Sequence, residues 1–78
     1  MTFINGLLGP MAPPPRVVPL SSGGLQLEWH RHGIDLEVVF DLNERPFFFY
    51  RNHNKGEESE HPLPEQANLL RDLINQLR

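Results

Sequence analysis

The chain has 78 residues, no cysteine and a formal net charge of −3. A chain this short buries only about 60% of its unfolded surface, and without thiols it has no disulfide or thiolate metal site to brace it. The acidic balance, with Lys55 the sole lysine, disfavours direct nucleic-acid binding, which needs cations to neutralise phosphates.

No apolar run approaches the roughly 20 residues that span a bilayer. Residues 1–11 lack a basic leader region and are interrupted by Gly6, Gly9 and Pro10, so they do not read as a signal peptide. These features predict a cytoplasmic protein that stays out of the membrane and gains stability from a second copy or a partner.

In chain order, residues 1–15 read as a Pro-rich N-terminal arm and residues 16–78 as a single domain. Phe3, Ile4, Leu7, Leu8 and Met11 make the arm apolar, and Pro10, Pro13, Pro14 and Pro15 forbid helix in it. The arm is either a frayed terminus or a segment that packs on the sheet or on a neighbour. Arg16-Val17-Val18-Pro19-Leu20 reads as a short strand, and Pro19, lacking a donor, assigns it to a sheet edge.

Leu25, Leu27 and Trp29 alternate with Gln26, Glu28 and His30, and Ile34, Leu36, Val38 and Phe40 alternate with Asp35, Glu37 and Asp41. Both runs have strand period. Between them, His32-Gly33 predicts a two-residue hairpin turn with Gly supplying a positive φ. That turn pairs Arg31 with Ile34, Trp29 with Leu36, Leu27 with Val38 and Leu25 with Phe40, so each apolar residue meets another. A second turn at Asn43-Glu44 would pair Leu42 with Arg45, Phe40 with Phe47, Val38 with Phe49 and Leu36 with Arg51.

Residues 52–61 read as an acidic loop. Pro64 reads as the first helical position, with Glu65 and Arg78 complementing the helix dipole. Ala67, Leu70, Leu73, Ile74 and Leu77 share one helix side, opposite Asn68, Arg71, Asp72 and Asn75. The expected fold is α+β: a three- to four-stranded antiparallel β-meander with one C-terminal helix packed on one face.

On this register the opposite face carries Gln26/Val39/Phe48, Glu28/Glu37/Tyr50 and His30/Asp35/Asn52. Glu28 opposite Glu37 is a like-charge pair that costs stability unless compensated. An aromatic patch rimmed by carboxylates has the composition of an interaction surface. The candidate protein-binding residues are therefore Glu28, Glu37, Val39, Phe48 and Tyr50, with His30 and Asp35 at the rim. Glu57-Glu58-Ser59-Glu60 would extend an acidic stripe able to occupy a basic groove built for nucleic acid.

Other chemistries fit less well. Glu28-x-His30-x-His32 with Asp35 or Glu37 is a possible ligand set, but His32 falls in the turn and His30 facing Asp35 is more simply a hydrogen-bonded pair, so no metal or other cofactor is assigned. Glu28 and Glu37 as catalytic carboxylates need a cleft that one thin sheet does not offer. Ser21 or Ser22 with a histidine lacks a nucleophile elbow. Ser21-Ser22-Gly23-Gly24 lacks the Lys-Ser/Thr of a phosphate loop. Pro13-Pro14-Pro15-Arg16 is a stiff linker more often than a ligand for a proline-recognition domain.

Pro15, Val17 and Pro19, followed by Gly23-Gly24-Leu25-Gln26-Leu27-Glu28-Trp29-His30 and Gly33-Ile34-Asp35-Leu36-Glu37-Val38, resemble a module of small bacterial proteins with the pattern P-x-V-x-P-x-x-x-G-G-V-Q-L-E-W-H-x-x-G-x-D-L-E-I-E. The likeness is close over residues 23–38 and loose over 15–50. Longer members carry a Gly-Trp-Asp segment that is missing here. The resemblance brings no activity and no catalytic residues. In size and occurrence the module is similar to accessory proteins of phages and mobile elements, among which anti-CRISPR proteins bind and block a host complex. The expected function is a non-enzymatic, dimeric binding protein that occludes a host nucleic-acid-handling or defence complex. The alternative is an antitoxin-like or structural accessory subunit of its own operon partner.

Overall fold

The computed structural model describes residues 12–78. Five strands, β1 (Arg16–Pro19), β2 (Leu25–Arg31), β3 (Ile34–Phe40), β4 (Phe47–Asn52) and β5 (Glu57–Pro62), form one antiparallel meander in the order β1-β2-β3-β4-β5, followed by helix α1 (Ala67–Asn75). The α+β architecture and the C-terminal helix are as expected, with one strand more. No helix among the described residues is long and apolar enough to cross a membrane.

The β2–β3 hairpin has the register that the alternation predicts, from Leu25 opposite Phe40 to Arg31 opposite Ile34. His32 and Gly33 both take positive φ, 56° and 77°, as a tight two-residue turn of this hand requires. β1 lies at an edge, where the missing donor of Pro19 breaks no ladder.

The second hairpin corrects the sequence reading. Val39, not Phe40, faces Phe47; Val38 faces Phe48, Leu36 faces Tyr50 and Ile34 faces Asn52. The one-residue shift turns every β4 side chain to the other face. Its origin is the connection. Asp41 Oδ1 accepts the Asn43 backbone N–H at 2.9 Å, which opens a loop wider than the predicted two-residue turn, and Pro46 brings no donor to its far side. At the other end of β4, buried Asn52 holds the next turn. Its Oδ1 accepts from the backbone N–H groups of Asn54 and Lys55, and its Nδ2 donates to Tyr50 Oη.

The predicted acidic loop contains β5, which pairs with β4 from Phe47 opposite Pro62 to Asn52 opposite Glu57. It lacks apolar alternation because it is an edge strand, and glutamates on an edge discourage pairing with foreign strands. The helix also starts later than predicted. Pro64 and Glu65 lie in the turn ahead of it, no acidic residue sits in its first turn and no basic one in its last. Glu65 instead accepts from Arg45 Nη2 at 2.6 Å.

The helix stripe is as predicted: Leu70, Leu73, Ile74 and Leu77 are buried and join Leu27, Trp29, Ile34, Leu36, Val38, Phe48 and Leu63 in one core. Full burial of a side chain such as Phe48 or Leu36 contributes about 1.5–3 kcal/mol. Pro13 is buried, and its carbonyl accepts the Trp29 Nε1–H at 2.9 Å, so the last part of the arm closes the Trp29 end of the core. The apolar stretch from Phe3 to Met11 lies outside the described residues.

Candidate functional site

The sheet face away from α1 is built by alternate residues of all five strands. Its first row is Val18, Gln26, Val39, Phe47 and Pro62; its second is Arg16, Glu28, Glu37, Phe49 and Glu60; its third is His30, Asp35, Arg51 and Glu58. Of the predicted binding residues, Glu28, Glu37, Val39, His30 and Asp35 do share this face.

Phe48 and Tyr50 do not. Phe48 is fully buried under the helix and stacks on His61 at 5.1 Å, and Tyr50 packs against the same core. The register shift puts Phe47, Phe49 and Arg51 where Phe48, Tyr50 and Asn52 were expected. Those three, with Glu58 and Glu60 from the unpredicted β5, are the residues that the sequence reading missed. The available signal was Asp41, whose side chain starts a turn of its own and so argues against a two-residue hairpin loop.

Val39, Phe47 and Phe49 form a half-buried apolar centre, with Gln26, Glu37 and Glu60 around it, in a shallow depression of about 570 Å³. Arg51 lies over the Phe49 ring, its guanidinium carbon 5.4 Å from the centroid, and pairs with Glu58 at 3.0 Å. The face thus carries carboxylates at positions 28, 35, 37, 58 and 60 against two arginines, one of which is already paired. Among the described residues, no lysine or arginine forms an ion pair with Glu28 or Glu37.

Beside this centre runs a chain of polar contacts. His30 Nδ1 meets Asp35 Oδ1 at 2.7 Å, His30 Nε2 meets Glu28 Oε1 at 3.2 Å, and His53 Nε2 meets Asp35 Oδ2 at 2.6 Å. Asp35, then Glu28, hold the His30 imidazole above its ordinary pKa through these hydrogen bonds, against a weaker opposing effect of burial. The bonds from His30, then His53, hold the Asp35 carboxyl below its ordinary value. His32 takes no part: its Nε2 contacts the backbone carbonyl of Arg78, on the helix side of the turn. The comparisons find no matching family model, curated protein or solved structure.

Proposed function

We propose that this chain is a non-enzymatic protein-binding module that docks the outer face of its sheet on a basic surface of a partner protein. One observation carries the reading: Phe47 and Phe49, partly exposed, sit at the centre of a ring of carboxylates, on a face that no described element covers. Aromatic residues, phenylalanine among them, are enriched in protein interfaces, whose cores lie inside a polar rim, and the negative field steers the face toward positive charge and away from nucleic acid. A groove that binds nucleic acid presents such a surface, so the partner class is a nucleic-acid-handling complex and the mode of action is steric occlusion. A second copy stacked on the same face would set acidic rows against acidic rows, which disfavours the dimer as occupant.

A photo-crosslinking residue at Val39, within the outer face, and another at Asn68, on the exposed side of α1, test this in the native host. The reading expects a partner with a basic groove from the first position and none from the second. Crosslinks from Asn68 alone, or only to a second copy from Val39, overturn it. Capture of a neighbouring small protein through Val39 would replace the inhibitor reading with that of an accessory subunit.

A further inference from the structure

Glu28 and Glu37 stand directly opposite on β2 and β3, and His30 lies two residues from Glu28 on the same face. One ligand atom from each of the three lies within 4.8 Å of the others. Carboxylates at directly opposed positions repel; the His30 imidazole offsets this only through its contact with Glu28, and a divalent ion shared by all three groups removes it. The Glu28 side chain is only 16% exposed, so it does not simply swing into water.

The imidazole has the orientation that a metal ligand needs. Asp35 accepts from both His30 Nδ1 and His53 Nε2, and an ionised carboxylate only accepts, so Nδ1 carries a proton. That leaves Nε2 as the atom facing the glutamates, 3.2 Å from Glu28 Oε1. Two ligands of a tetrahedral zinc ion at about 2.0–2.1 Å lie roughly 3.3 Å from each other. The His30–Glu28 spacing therefore suits one shared ion as well as it suits a hydrogen bond, and Glu37, with an oxygen within 4.8 Å of a ligand atom on each, closes on the ion when it binds. A carboxylate behind the ligating histidine is the usual way in which metal sites set the tautomer and raise ligand basicity. His53 in turn pins Asp35.

We propose that Glu28, His30 and Glu37 form a divalent transition-metal site of the zinc type, with Asp35 and His53 orienting the imidazole. One nitrogen and two carboxylate ligands suit zinc, whereas calcium and magnesium take all-oxygen shells. The metal replaces the proton that Nε2 otherwise donates to Glu28, and that proton leaves to solvent. Water completes the coordination in the isolated chain. The site does not rest on the docking reading, because it needs no partner.

The test is calorimetric titration of zinc chloride into the EDTA-treated full chain at neutral pH. One equivalent is expected to bind, to release a proton and to shift the His30 ring signals in NMR before those of His32, His53 and His61. His30→Ala and Glu37→Gln each weaken binding more than ten-fold. Asp35→Asn, which removes a positioning residue, weakens it about 10–100-fold at unchanged stoichiometry. His61→Ala, on the other face, leaves it unchanged. Circular dichroism verifies the fold of each variant, and the ring shifts in the wild-type chain need no variant. No saturable uptake, wild-type affinity in His30→Ala, or ring shifts led by another histidine overturn the site.

Discussion

Phe48 and Val38 face each other across β4 and β3, 0% and 1% exposed, beneath the helix. That single pairing decides which aromatic residues build the core and which are offered to solvent. It gives Phe48 to the helix side and leaves Phe47 and Phe49 outside.

The pairing predicts unequal costs for neighbouring substitutions. Phe48→Ala should lose about 3–5 kcal/mol of stability, as fully buried phenylalanines do. Phe49→Ala should lose less than about 1 kcal/mol, the size of a cross-strand pair on an open face. Urea unfolding of both, with Phe48→Leu as a milder variant should Phe48→Ala not fold, checks this. Equal losses at the two positions would contradict the register.

This register was not legible in the sequence, whereas that of the first hairpin was. Leu25-Gln26-Leu27-Glu28-Trp29 has one apolar face, so a slip exposes it, and His32-Gly33 fixes the turn. Phe47-Phe48-Phe49-Tyr50 is aromatic at every position, so alternation does not choose between faces and the loop decides. β5 has only Pro62 as an apolar residue, and on an edge strand its backbone pairing rather than its side chains holds it. The acidic half of the site, Glu28, Asp35 and Glu37, was legible because it lies on the well-specified strands; the aromatic half was not.

Trp29 ties the segment ahead of β1 to the core. Trp29→Phe leaves the buried Pro13 carbonyl without its donor, and should cost about 1–3 kcal/mol. Truncation through Pro14 should shift the Trp29 fluorescence to the red, as the indole meets water. An unshifted spectrum would show that another segment covers the ring.

Gly24 marks a close approach of strands. A Cβ there would collide with the Phe40 carbonyl oxygen on β3. Gly24→Ala should therefore destabilise by more than the roughly 1 kcal/mol typical of point substitutions, with the largest amide shifts at Phe40 and Asp41 in NMR. A neutral effect would mean that the start of β2 sits farther from β3.

The His30–Asp35 pair gives stability a defined pH window in metal-free chain. His30 has a raised pKa, so its contribution is complete below 6.5 and fades as pH rises through the folded-state value. Asp35 has a lowered one, so its contribution is complete above 3.8 and fades as pH falls through the folded-state value. The His30–Asp35 bond is the largest cause in both, beside Glu28 for His30 and His53 for Asp35; it is strongest between those limits and worth under about 1 kcal/mol because the His30 side chain is 48% exposed. Asp35→Asn should lower the His30 midpoint in an NMR titration, leaving the residual pull of Glu28. An unmoved midpoint would contradict the assigned contacts.

The outer face, with Phe49 at its centre, is the surface proposed to hold a partner. This is read by titrating the purified crosslinked partner with wild-type chain, Phe49→Ala, Glu37→Lys and Asn68→Ala. The two outer-face variants should lose at least ten-fold in affinity, wild-type binding should weaken at higher salt, and Asn68→Ala should bind unchanged. Wild-type affinity in both Phe49→Ala and Glu37→Lys would contradict it.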